Sequence, residues 1–316
     1  MKVVKAVAPY IHPEYLNFKT APYEAWVKNG GKVAQPHYPI RALHGPVFRH
    51  ELPTLRRDGK EARLRFVEPI SLYFDTFPDY AFYELIPMVW DCWPCYFNKM
   101  CVWLKKHEVR TAIFTSSQTA ERIQEKFPEM NVMWCPEAVD VSLYKKGRDL
   151  KERKIDLLEF GRSNRKVFKS PLPSSVRHVC TKVGDTYIYN NEELYEALSD
   201  TKLTIALPRS MTQPNVAGDI ETLTQRYWEN MLSRIVMVGH APKELVSLIG
   251  YNPVVEMDKE HFNEQILDVL TYIDEYQDLV DRNRKTALKY GDWEQRMKKV
   301  MMFLKENGYN INIREW

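Results

Sequence analysis

A chain of 316 residues, 44% apolar and 28% charged, is long enough for two domains of ordinary size and apolar enough to bury a large core. A net charge of +3 does not by itself argue for nucleic acid, no run of 18 apolar residues is there to span a bilayer, and the first residues lack the apolar stretch of a secretory signal. Five cysteines, an odd number in so long a chain, fit a reducing compartment better than a disulfide framework, so a cytoplasmic protein is expected.

In chain order, MKVVKAVAPY predicts a first strand, and NGGKVAQPHY a glycine turn with another short strand. Residues 36–67, with four prolines and many charges, read as loop and edge structure. YELIPMVWD (83–91) is an apolar strand running into a CWPC loop, and NKMCVWLKKHEV (98–109) a helix. RTAIFTSS is a strand, QTAERIQEKFP a helix with a Ser/Thr cap. NVMWCPEAVD closes the half. The charged stretch KKGRDLKERK (145–154) marks the expected break.

Beyond it, strands and helices alternate. IDLLEF (155–160) is a buried strand ending at Gly161, and VRHVC (176–180) a second strand. NNEELYEALSD is a capped helix and TKLTIAL a strand. LTQRYWENML (223–232) is a helix and RIVMVG a strand. APKELVSLIG is a helix and NPVVEM a strand; from about 261 onward everything reads as helix. This alternation predicts an α/β chain with parallel sheets. The expected division is 1–144, 145–290 and a helical tail 291–316 crossing back toward the first domain. Open parallel sheets bind ligands at the carboxyl ends of their strands, so two in tandem would face each other across a cleft.

Charge is uneven along the chain. Residues 1–67 hold twelve Lys/Arg against five Asp/Glu. The excess reads either as a solvated basic face or as a surface for anionic lipid headgroups or an acidic acceptor.

Two clusters carry candidate chemistry. FGRSNRK (160–166) places Arg162, Arg165 and Lys166 just after a strand, where guanidinium and ammonium groups suit a phosphate or diphosphate. ETLTQRYWE (221–229) holds Glu221 just before a helix and Glu229 inside it, about two turns apart and so roughly on one face. Carboxylates there can accept hydrogen bonds from sugar and ribose hydroxyls. Arg226, one turn before Glu229, is a candidate ion-pair partner or phosphate ligand.

The order of these clusters resembles the C-terminal half of retaining glycosyltransferases of the GT-B fold, the group 1 type. PEAVDVSLYKK resembles that family's inter-domain segment and KIDLLEFGR its first C-domain strand and phosphate loop. TQRYWENMLSRIVMVG and YGDWEQRMKKVMMFL are similar to the subgroup related to spore maturation proteins. The resemblance covers about 136–305 and implies two Rossmann-like domains. It implies a metal-independent transferase with no cofactor, using a nucleotide-sugar co-substrate linked to UDP or GDP. Arg162, with Arg165 or Lys166, would neutralise the donor diphosphate, Glu229 would bind the ribose, and Glu221 would contact the donor sugar. The acceptor would be a glycan, lipid-linked or other glycoconjugate, with peripheral membrane contact through the basic first domain and no nucleic acid. The family's GFG within the glutamate pair reads TLTQRY here, and its first-domain histidine has no match. Asp91 is the candidate for that part of the pocket. A DNA-modifying glucosyltransferase, a sugar-nucleotide epimerase and a non-catalytic nucleotide-binding assembly protein are the competing readings.

Cys92-Trp93-Pro94-Cys95 has the wording of a thioredoxin-type redox pair, and with Cys101 and His107 the ligand count of a zinc site. Redox chemistry needs the pair at the start of a helix, and the zinc spacing lacks a second knuckle. The preferred expectation is that the stretch, with Trp90 and Trp93, lines or backs the acceptor side, with no metal bound.

Overall fold

In a computed structural model of the protein, residues 1–9, 18–35, 59–161, 167–181 and 191–314 are described. They form two compact units. One comprises Met1–Glu137, Pro214–Thr222 and Trp293–Trp316, the other Ala138–Gln213 and Leu223–Asp292.

The first unit begins with β1 (Lys2–Val7), α1 (Thr20–Lys28), β2 (Lys32–Ala34) and β3 (Glu61–Val67). Two short helices, α2 (Leu72–Thr76) and α3 (Asp79–Phe82), lead to β4 (Glu84–Val89). Then come α4 (Pro94–Lys106), β5 (Thr111–Phe114), α5 (Ser117–Lys126) and β6 (Asn131–Trp134). The second unit runs through β7 (Ile155–Glu159), β8 (His178–Cys180), α6 (Asn191–Ser199), β9 (Thr201–Ala206), α7 (Gln225–Leu232) and β10 (Val236–Gly239). It continues with α8 (Lys243–Ile249), β11 (Val255–Glu256), α9 (Phe262–Thr271) and α10 (Gln277–Tyr290). Helix α11 (Trp293–Glu306) and β12 (Tyr309–Asn310) return to the first unit.

Among the described residues every strand pair is parallel. The first sheet runs β12-β1-β3-β4-β5-β6, with β2 also on β1, and the second runs β11-β10-β9-β7-β8. Strand β4 is buried along its whole length because helices cover such a sheet on both faces, which is why ELIPMV reads as an unbroken apolar run. Helix α5 starts where the Ser116 hydroxyl accepts from the Thr119 N–H at 3.4 Å. In the second unit Leu158, Trp228 and Met231 pack on one side of the sheet, and Leu203, Val236 and Phe262 on the other.

One sequence expectation is corrected. Residues 61–67, read as edge structure, form an interior strand between β1 and β4. The charges that disguised it are satisfied inside: Arg65 pairs with Asp79 at 3.0 Å, and the Arg63 guanidinium lies 3.7 Å over the Tyr83 ring. In the charged stretch 145–154 not every cation is solvated. Arg153 is 2% exposed and its guanidinium donates to the carbonyls of Lys146, Arg148, Thr201 and Ser233. Burial, with the nearby Arg234 charge, pulls its pKa down to about 10.

Candidate functional site

Because the second sheet is parallel, its five strands end on one edge, and β7 reaches it at Glu159-Phe160-Gly161. Gly161 has φ +72, a conformation that favours glycine, and the Arg226 guanidinium lies where a β-carbon would stand, so a larger residue would displace it. Arg226 is the second residue of α7 and lies 5.5 Å over the Phe160 ring. Among the described residues its guanidinium makes no hydrogen bond or ion pair. Desolvation lowers its pKa, opposed by the charge of Glu229.

Glu229, one turn further along α7, is partly buried as a residue, yet desolvation of its carboxyl pushes the pKa above the usual carboxylate value. A hydrogen bond from Tyr144 and the charge of Arg226 act the other way. The Tyr144 hydroxyl donates to Glu229 Oε1 at 3.0 Å, and its ring packs edge-on to Tyr195 at 5.1 Å. The result is a guanidinium against a strand-end glycine and, one turn away, a desolvated carboxyl fixed by a tyrosine. Such a group can take an anion and a hydroxyl side by side. Arg162, Arg165 and Lys166 lie outside the described residues.

Glu221 is not on the helix with Glu229. It precedes the first residue of α7 by four positions, so helical spacing does not place the two carboxyls on one face. It belongs to the segment 214–222, which packs in the first unit. There the Glu221 N–H donates to Gln118 Oε1 at 2.8 Å, and Gln118 Nε2 donates to the Asp219 carbonyl at 3.1 Å. One turn along α5, Arg122 Nη2 reaches both Asp219 carboxylate oxygens at 2.8 and 2.9 Å. Ala217 and Ile220 pack on Trp93. Sequence reasoning missed Tyr144, Gln118 and Arg122. Tyr144 lay in the quoted inter-domain segment without a role, and QTAERIQEK carries only the pattern of an ordinary amphipathic helix.

At the carboxyl end of β4, Trp90 is 1% exposed and Trp93 2%. Trp90 sits among Phe18, Phe66 and Trp293 at ring distances of 5.9 to 6.1 Å. Between the two tryptophans, Asp91 adopts φ +51 and is partly buried. The CWPC stretch is not all loop: α4 starts at Pro94, so Cys95 is its second residue. A thioredoxin-like pair would sit at such a helix start, but the protonation is reversed. Cys92 is buried and its thiol is pushed up to about 12, chiefly by desolvation, whereas a redox nucleophile needs a lowered value. His107 is buried among Tyr73, Tyr80 and Trp103. Among the described residues no group of three or more His, Cys, Asp or Glu is arranged to hold a metal ion.

No protein-family model and no curated protein sequence matches the chain. Solved structures do. HepE of Anabaena, in complex with UDP and with UDP-glucose, superposes with TM-scores of 0.60 and 0.59 at 10% identity. These matches cover 97% and 96% of this chain and 100% and 99% of HepE. A trehalose-6-phosphate synthase studied for glycosyl transfer with retention gives 0.56 at 8% identity, covering 98% of this chain and 100% of its own. TarM gives 0.53 at 10% identity over 77% of this chain, which spans 54% of TarM. The likeness shows the fold: α/β, with two parallel-sheet units and C-terminal helices, of the GT-B type. Among the described residues no helix is long and apolar enough to cross a membrane.

Proposed function

We propose that this protein is a glycosyltransferase that takes a sugar from a nucleoside-diphosphate donor and transfers it with retention to a glycan, lipid-linked or other glycoconjugate acceptor. The observation that carries the reading is the Arg226 guanidinium laid against Gly161 at the end of β7, with the Tyr144-bound carboxyl of Glu229 one turn on. A fold shared with HepE, whose structure was solved with UDP-glucose, supports it, as does the resemblance of TQRYWENMLSRIVMVG and YGDWEQRMKKVMMFL to the subgroup related to spore maturation proteins.

In this reading Glu229 accepts from the ribose hydroxyls. Arg226, with Arg162 and Arg165 or Lys166, offsets the charge that builds on the diphosphate as the glycosidic bond breaks, a task that needs no metal ion. Glu221, held through its backbone by Gln118, contacts the donor sugar, and Asp91 serves the acceptor side with Trp90 and Trp93 behind it. The acceptor hydroxyl attacks on the face the diphosphate leaves, the new glycosidic bond forming as the bond to the diphosphate breaks and the hydroxyl proton passing to the departing diphosphate oxygen.

A thermal-shift screen with UDP, GDP, ADP and CMP sugars tests this. Binding at a hundredfold excess over Kd adds about 2.7 kcal/mol to stability. At least one sugar nucleotide is expected to raise Tm by several degrees. The absence of any shift with all four classes overturns the reading.

A further inference from the structure

Arg226 and Glu229, assigned above to the nucleotide, share helix α7 of the second unit. Glu221, assigned to the donor sugar, lies on a segment that belongs to the first unit. Its position is therefore set by whatever holds that segment and not by the helix that carries the other two.

The segment is held within the first unit in three ways. It folds on itself at the turn Pro214–Ala217: the Gly218 N–H donates to the Pro214 carbonyl at 2.8 Å and the Ile220 N–H to the Ala217 carbonyl at 3.0 Å. This presents Ala217 and Ile220 to Trp93, and all three side chains are buried. The Arg122–Asp219 pair is solvent-exposed and contributes little by itself. The third is Gln118, partly buried at the second position of α5. Its Oε1 accepts from the Glu221 N–H at 2.8 Å, and its Nε2 donates to the Asp219 carbonyl at 3.1 Å.

These are the two bonds that a residue of a parallel strand would make on either side of Ile220. Residues 218–224 belong to no helix or strand, so the Glu221 N–H is satisfied by this side chain and not by a ladder. Two positions on, the Leu223 N–H donates to Glu244 Oε2 at 2.8 Å, within the second unit. Without such bonds a loop residue samples many backbone states, and misplacing a group by about 1 Å can cost on the order of a hundredfold in rate. We propose that Gln118 is a positioning residue for the sugar part of the donor: it sets Glu221 and takes no part in holding the nucleotide. The inference rests on the transferase reading above.

Two variants test it. Gln118→Leu keeps the bulk of the side chain and removes both bonds, whereas Gln118→Glu keeps an acceptor for the Glu221 N–H and removes the donor. Dissociation constants are measured by calorimetry for UDP-glucose, GDP-mannose, ADP-glucose and CMP-sialic acid, each beside its free nucleotide. The ratio of the two constants isolates the share of the sugar. For the nucleotide that the wild type binds, Gln118→Leu is expected to raise that ratio about tenfold, the worth of a lost hydrogen bond to a charged group. The free nucleotide should bind as it does to the wild type. Gln118→Glu should raise the ratio less, and it keeps the measurement possible if the leucine variant melts early. A purely structural role would weaken both ligands together. An unchanged ratio in both variants, or equal weakening of both ligands, overturns the proposal and leaves the transferase reading standing. Failure of the wild type to bind any of these nucleotides, free or sugar-linked, overturns that reading and this inference with it.

Discussion

The carboxyl edges of the two sheets are made of opposite materials. At the end of β7, Gly161 makes room for a guanidinium, and Arg226 and Glu229 are held with both charges disfavoured by desolvation. At the end of β4, the corresponding positions are Trp90 and Trp93, packed away almost completely. Burying an indole is favourable by itself, whereas burying a charge costs free energy unless something offsets it. The β4 edge is therefore packed for rigidity, whereas the β7 edge holds charges that a ligand could pair, and the two should respond to mutation in opposite ways.

Trp90→Ala should produce the largest change in stability. Trp90 is 1% exposed with three ring neighbours, and among the described residues its indole N–H has no hydrogen-bond partner, so truncation removes chiefly packing. A loss of about 3–5 kcal/mol is expected in a denaturant melt. The sugar-nucleotide stabilisation should persist in whatever fraction remains folded. A variant as stable as wild type would mean that the β4 edge is not the packed region its burial indicates.

Glu229→Gln should do the reverse. A carboxyl whose folded pKa is raised binds its proton more tightly in the native state than in the unfolded chain. Wild-type stability therefore falls as pH rises from the unfolded carboxylate value to the raised folded one, and stays lower above that window. The amide cannot ionise and can still accept from Tyr144, so the unliganded variant should match the wild type at low pH and exceed it at neutral pH. Its sugar-nucleotide affinity should fall by about 1.5–3 kcal/mol, roughly 10- to 150-fold, the worth of a hydrogen bond to a charged group. Equal pH dependence in the two proteins, or unchanged affinity, would remove Glu229 from the ligand-binding edge.

The same contrast explains what could be read in the residues alone. The second unit was legible strand by strand, because IDLLE, TKLTIA and VMVG are short apolar runs separated by helices with ordinary periodicity. Strand β3 was not, since Arg63 and Arg65 look solvated until Tyr83 and Asp79, from later in the chain, are brought to them. At the site, Arg226 and Glu229 share one helix, so their spacing carried the information. Glu221 lies on non-helical chain held by Gln118 and Arg122, about a hundred residues earlier, and no local pattern encodes such a contact. Tyr144 is a long-range partner of the same kind, 85 positions from Glu229.

The smallest expected effect separates the two cysteines of CWPC, which the sequence presents as a pair. Cys95 is exposed on the second position of α4, so Cys95→Ser should change stability by no more than about 0.5 kcal/mol. Cys92 is 6% exposed in the core that includes Val89 and Met100, and Cys92→Ser places a hydroxyl there at a cost of about 1–3 kcal/mol. The bond from Thr119 Oγ1 to the Cys92 carbonyl, 3.2 Å, involves only backbone at that position and should survive, so the loss reports burial of the side chain and not a broken helix contact. In the double variant the sugar-nucleotide shift should persist, because the Gly161, Arg226 and Glu229 edge lies in the other unit. Melts of the three variants check this, with metal analysis of the wild type beside them. Equal losses from the two single changes would point to a functional pair, and one zinc per chain would make them ligands.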